Sequence, residues 1–217
     1  LNICKKFYHD KTMVRLEQFR VKYSEWSEPC VVNGKEVLSI DQYLAKIDFN
    51  WLCTETSWKF IHGDLHFDNT IYQHGQYLGS LDCFEQDKDK YADKFTAIDW
   101  RTDFGGSLYG DQYYDLAKMA GGFIINYANI KQHNFDIEIQ GTEVTLSVPN
   151  IDSIDTYQTI LKEFVISKGW DYKKVQQLIP IIFWNMSPLH TAPFDIFLWY
   201  LGMKLFQEAE DESTKVH

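Results

Sequence analysis

Residues 58–61 read Trp-Lys-Phe-Ile. A polar loop follows, His62-Gly63-Asp64-Leu65-His66-Phe67-Asp68-Asn69, and then Thr-Ile-Tyr. Two short apolar runs bracket a loop without helical period, so the stretch reads as strand, loop and strand, the first strand short and buried. Another apolar run, residues 95–98, ends on Asp99. Strands cluster around these polar motifs, while the second half of the chain carries mostly helical periodicity. That combination predicts an α+β fold.

The helices are predicted from spacing and punctuation. Residues 8–24 form an amphipathic helix with Leu16, Phe19 and Tyr23 on one face and Asp10 as its cap. Pro29, Asn33 and Gly34 make 25–37 a loop or short hairpin. Ser39 followed by Gln42 is a capping box, and Ile40, Tyr43, Leu44, Ile47 and Trp51 continue a helical stripe to about residue 52. Residues 73–94 are a long polar connection with a turn at His74-Gly75, a strand over 77–81 and a solvated charge run over 86–94. The glycine-rich stretch 104–110 matches neither nucleotide-binding glycine pattern, and Asp111 opens a helix reaching about residue 128. Phe135, Ile137 and Ile139 alternate before Gly141, and Val144, Leu146 and Val148 after it, which is a β-hairpin. A helix over 152–168, capped by Asp152 or Ser153, stops at Gly169, and Asp171 caps the next, with a kink at Pro180. Pro188 and Pro193 interrupt the chain before a last apolar helix over about 193–207, and residues 208–217 are a disordered acidic tail.

At 217 residues the chain is one domain, or one and a half. Its 45% hydrophobic and 16% aromatic content is that of a globular protein. The net charge of −10 and the absence of a Lys/Arg block argue against a nucleic-acid partner; an acidic balance suits solubility, or a cationic substrate. No apolar run approaches the ~18 residues a membrane helix requires, so no membrane insertion is expected. Cys4, Cys30, Cys53 and Cys83 form neither a zinc spacing nor a disulfide framework, which predicts reduced thiols and a cytoplasmic protein.

Phosphoryl transfer requires a carboxylate to accept or orient the nucleophile's hydroxyl proton, and hard oxygen ligands for Mg²⁺ on the phosphates. Asp64, Asn69 and Asp99 are the right residue types. The Asp-x₄-Asn spacing lets one side chain face the acceptor and the other the metal, and a carboxylate at a strand end is rigidly held. Each motif alone also describes an ordinary loop. In order and each at a strand edge, they predict one converged site. The His-x₃-His of His62 and His66 is a poor zinc pattern.

These motifs resemble the aminoglycoside phosphotransferase and choline kinase superfamily of protein-kinase-like folds. The resemblance rests on His62-Gly63-Asp64-Leu65-His66 with Asn69, then Ile98-Asp99-Trp100, then Gly110-Asp111-Gln112-Tyr113-Tyr114-Asp115-Leu116-Ala117-Lys118. The Asp99-Trp100-Arg101 variant with its downstream Tyr-Gly-Asp looks most like the kinase-type domains of bacterial surface-polysaccharide pathways. The resemblance implies a mainly helical C-terminal lobe over 1–217, with short hairpins around the catalytic loop. It implies ATP as phosphoryl donor, Mg²⁺, and a small-molecule acceptor bearing a hydroxyl, such as a sugar or amino alcohol. It makes Asp64 the base and Asn69 and Asp99 the Mg²⁺ ligands; His62 braces the loop and Asp111 or Asp115 holds it from behind. His66 reaches substrate or packs. Arg101 departs from the acidic residue many relatives carry; it pairs with an anionic group on the acceptor or braces a neighbouring carboxylate. The aromatic helices at 176–203 form core or line the acceptor pocket.

The residues before Asp64 hold no glycine-rich phosphate cover and no strand lysine, and Leu1 is not a Met. The expectation is a kinase-like C-terminal lobe without its N-terminal lobe, weak or inactive alone. A catalytically silent binding module of the same fold is the alternative. A phosphate-ester hydrolase is a further rival, though two-metal hydrolases gather more His and carboxylate ligands than these.

Overall fold

Polar side chains close the helix starts. In the computed structural model, which describes residues 2–24, 31–54, 57–72, 95–101, 103–107, 109–148 and 154–215, Ser39 and Gln42 form the complete capping box of α3 (Ile40–Lys46). Asp48 caps α4 (Phe49–Leu52), Asp111 caps α5 (Gln112–Ile124), Asn126 caps α6 (Tyr127–Lys131) and Asp171 caps α8 (Tyr172–Met186). Each accepts from a backbone N–H left unpaired in the first turn.

The chain opens with α1 (Asn2–Lys5), which passes through a π-helical turn at Lys6–Asp10 into α2 (Lys11–Lys22). The helix therefore starts well before residue 8, and Asp10 makes no side-chain cap; its carboxylate takes the neighbouring His9 ring instead. The stripe over 40–52 is two helices, because Asp48 leaves helical geometry to cap the second. The helix expected to reach residue 128 stops at Ile124, where Asn126 starts α6.

The core is organised around α8, which packs against α2, α5 and the last helix, α9 (Phe194–Lys215), while α7 (Ile154–Ser167) covers α5. Helix α8 is buried from Lys174 through Trp184 except at Gln176, nearly all round its circumference. A helix apolar on every face belongs inside. Trp184, Phe197, Trp199 and Tyr200 are buried, so most of the aromatic residues over 176–203 are core. Gly202 of α9 lies against the Trp184 indole, whose Nε1–H donates to the Trp199 carbonyl.

Strands are short and lie at the edges. The hairpin of β7 (Asp136–Gln140) and β8 (Glu143–Ser147) pairs Ile137 with Leu146 and Ile139 with Val144, turning at Gly141. It is joined by β1 (Val31–Val32), parallel to β8, and β2 (Lys35–Glu36), in the order β2-β1-β8-β7. The Asn33 amide fastens the junction by donating to the Leu146 carbonyl at 2.9 Å and accepting its N–H at 2.7 Å. Two antiparallel pairs frame the polar loop: β3 (Trp58–Phe60) with β6 (Tyr109–Asp111), and β4 (Thr70–Tyr72) with β5 (Phe95–Ala97). Strand β3 is not the buried strand expected: among the described residues it has one neighbour, β6, and Phe60 is 62% exposed.

The acidic end of the chain is helical to Lys215 rather than frayed from Glu208. Ala209 is buried, Gln176 of α8 donates to Glu212, and Lys204 pairs with Glu208 one turn on, so the acidic residues gain partners. No helix of the described residues is long and apolar enough to cross a membrane. Cys4 and Cys53 are buried free thiols; Cys30, Cys83, the polar connection at 73–94 and the caps Asp152 and Ser153 lie outside the described residues.

A Cβ at residue 202 would stand 2.4 Å from Trp184 Nε1, too close without displacing the ring. Gly202→Ala is therefore expected to cost about 1–3 kcal/mol of stability in urea unfolding; an unchanged midpoint would show that Trp184 moves freely.

Candidate functional site

The polar loop between β3 and β4 is held from behind by one carboxylate. Asp115, in the first turn of α5, accepts the N–H of His62 at 2.7 Å and that of Gly63 at 2.8 Å. Burial pushes its carboxyl above the ordinary aspartate value, and the two backbone donors oppose the shift. Gly63 has φ +80°, and a Cβ there would meet Arg101 Cβ at 2.9 Å, so the turn requires glycine. His62 is buried and bridges two segments. Its Nε2 lies 2.8 Å from the Ile98 carbonyl, and its Nδ1 accepts the Asp64 N–H at 3.2 Å, which makes Nε2 the protonated nitrogen. The Arg101 N–H returns to the His62 carbonyl at 2.9 Å.

Asp111 does not touch this loop. Fully buried, it caps α5 and accepts the Tyr8 hydroxyl at 2.9 Å, which fastens the N-terminal helix to the base of the site. Burial raises its pKa, against its hydrogen bonds with Ser57, Tyr113 and Tyr8.

Asp64 is 7% exposed and sits between two cations. Lys118 Nζ lies 2.7 Å from Oδ1, and the Arg101 guanidinium donates to Oδ2 at 2.8 Å. Burial drives the carboxyl up, but Lys118, Arg101 and His66 outweigh it and hold Asp64 below the ordinary aspartate value. Of the two roles open to Arg101 in the sequence, bracing a carboxylate is the one its geometry displays. His66 stands 4.0 Å from Asp64 Oδ1 and 3.6 Å from Asp68; burial lowers its pKa against the pull of Asp64.

The β4–β5 register brings Asn69 and Asp99 to one end of this antiparallel pair. Thr70 faces Ala97, and the Ile98 N–H donates to the Asn69 carbonyl at 2.9 Å. The Asn69 side chain donates to the Asp64 carbonyl at 3.0 Å, so Asp64, Asn69 and Asp99 are brought together through backbone links. Asp99 is exposed, at φ +58°, and its carboxylate takes no hydrogen bond or ion pair among the described residues. An Asp carboxylate and an Asn amide are oxygen donors of the kind Mg²⁺ takes, and the ion needs only one or two protein ligands when phosphates and water supply the rest. Among the described residues no group of three or more His, Cys, Asp or Glu could hold a metal alone.

Two clefts open beside Asp64. One is lined by His66, Lys118, Asn126, Tyr127, Phe183 and Met186. The other is lined by Lys11, Gly63, Arg101, Asp103, Ser107 and Tyr114. Each thus contains one of the two cations that contact Asp64. No family model, curated protein or solved structure matches this chain.

Lys118 and Lys11 are the site residues that sequence reading missed. Lys118 had a signal: it lies three residues after Asp115 on one helix, and thus on the same face. Lys11 had none, because only tertiary packing brings α2 to the loop.

Asp115→Asn leaves one oxygen for two N–H donors and is expected to cost about 1–3 kcal/mol in urea unfolding. Asp64 has a lowered pKa in the fold, so its contribution is present above the ordinary value of 3.8 and lost as pH falls through the lowered one. The stability gap between the native protein and Asp64→Asn should therefore be widest near neutral pH and shrink as pH falls below 3.8. A gap independent of pH would remove the ion pairs as its source.

Proposed function

We propose that this chain carries the catalytic half of a Mg²⁺-dependent phosphotransferase moving a phosphoryl group from ATP, or another nucleoside triphosphate, to a hydroxyl of a small molecule such as a sugar or amino alcohol. The kinase-like C-terminal lobe is part of this reading. The observation that carries it is the juxtaposition of a braced, ionised Asp64 with Asn69 and the unclaimed carboxylate of Asp99.

In this reading the acceptor's hydroxyl lies against Asp64, which orients it and takes its proton as the new O–P bond forms and the bond to the departing nucleoside diphosphate breaks. A carboxylate with a depressed pKa is a weak base. A loose phosphoryl transition state asks mainly for positioning, so a weak base suffices. Asn69 and Asp99 would hold Mg²⁺, which would supply the positive charge to offset that of the donor phosphates. Lys118 and Arg101 keep Asp64 ionised and set its orientation. His62 and Asp115 fix the loop from which it projects.

The silent binding module is supported by a separate observation: Arg101 and Lys118 each form an ion pair with one oxygen of Asp64. Kinetics and calorimetry separate the two readings. In the complete gene product, Asp64→Asn and Asp99→Ala should each lower Mg-ATP-dependent transfer by roughly 10²–10⁴-fold. Asp99→Ala should also weaken Mg-nucleotide binding, while Asp64→Asn preserves it. Full turnover in Asp64→Asn would sink the assignment of the base. Tight Mg-nucleotide binding with no turnover on any hydroxylated acceptor would favour the silent module.

A further inference from the structure

The cleft between α2 and the loop at 101–107 concentrates positive charge in a chain whose net charge is −10. Lys11 lies half-buried at its wall, its ammonium 4.0 Å from the Phe7 ring centroid. No described carboxylate forms an ion pair with it. Arg15, Arg101 and Lys118 act on Lys11 as like charges, and the Asp103 carboxylate opposes them. Burial first, and then Arg15 and Arg101, lower the Lys11 pKa to about 8. An ammonium in that setting is a cation awaiting a counter-charge.

The donors suit an oxyanion. Arg101 commits one nitrogen to Asp64, and its side chain is 57% exposed, which leaves the rest of the guanidinium available. Ser107 Oγ accepts the Tyr109 N–H at 3.1 Å, so its own hydroxyl hydrogen is free to donate into the cleft. Asp103, a carboxylate on the same cleft, accepts the Gly106 N–H through one of its oxygens.

We propose that Lys11, Arg101 and Ser107 form an oxyanion subsite that receives a phosphate or carboxylate group carried by the acceptor. This rests on the reading of Asp64 as the base for that acceptor. An anion drawing on the Arg101 guanidinium also competes with Asp64 for it. The subsite thus selects anionic hydroxyl compounds over neutral ones, although the chain as a whole is acidic.

The test uses inorganic phosphate as probe, titrated calorimetrically into the complete gene product at low salt and neutral pH. Phosphate should bind, Lys11→Met should weaken binding at least tenfold, and Lys11→Arg should retain it. Lys173→Met, on the exposed start of α8, should leave it unchanged. Thermal melts check that each variant is folded; Met keeps the aliphatic stem against Phe7. No phosphate binding, or equal binding in Lys11→Met, overturns the subsite. A second titration in the presence of Mg-AMP-PNP identifies the source of the anion. Phosphate binding alongside the nucleotide supports the acceptor; displacement by it assigns the cleft to the donor and overturns the proposal. Phosphate binding without any Mg-nucleotide binding would instead defeat the phosphotransferase reading while leaving the anion site standing.

Discussion

One carboxylate in the first turn of α5 fixes the site to the body of the protein. Asp115 accepts two successive backbone N–H groups from the loop at 62–63, and without it both donors would face a buried interior unpaired. Helix α5 is in turn immobilised by its packing on α8 and by Asp111, which caps it and ties it to Tyr8. The consequence is mechanical. The two-stranded pairs on either side of the loop are too short to be stable alone, so the rigidity of the loop comes from the helices beneath it. A carboxylate so placed shows its raised pKa as the mark of burial, a cost offset by the two bonds it receives.

Charge is distributed unevenly about that scaffold. The chain carries an excess of acid, yet Asp64 is met by two cations, and a third, Lys11, forms no ion pair with a carboxylate of the described residues. A surplus of cation in a concave, half-buried place costs solvation. Such an arrangement fits a fold that holds anions transiently better than one that only seeks stability. The same surplus explains why Asp64 stays ionised despite its burial.

Where the sequence was informative, it was through local chemistry. Ser39 with Gln42, Asp111 and Asp171 each cap the helix that their position implied, because a cap needs only its own first turn. The 135–148 alternation resolved into its hairpin for the same reason: turn and strands are neighbours in the chain. Asp10 failed as a cap because a π-helical turn carries the helix through it. Residues 208–215 are helical because Gln176, distant in sequence, reaches Glu212, and a buried Ala209 anchors the turn. Strand β3 is open where burial was expected, since its apolar residues said nothing about how many neighbours it would have.

Family resemblance alone pointed to His62 and to Asp111 or Asp115; the sequence by itself determined the α+β character, the positions of most helix starts, and Asp64, Asn69 and Asp99 as groups worth bringing together. These follow from spacing, period and residue chemistry, all properties of short stretches. Tertiary structure alone decided that Asp115 and not Asp111 holds the loop, that Arg101 and Lys118 clasp Asp64, and that Lys11 arrives beside them from the first long helix. Those contacts join residues dozens to more than a hundred positions apart. Their existence depends on the packing of α2 and α5 against α8, which no local pattern encodes. The opening loop between two apolar runs was visible from the first reading; the charges that surround its aspartate are a property of the folded core.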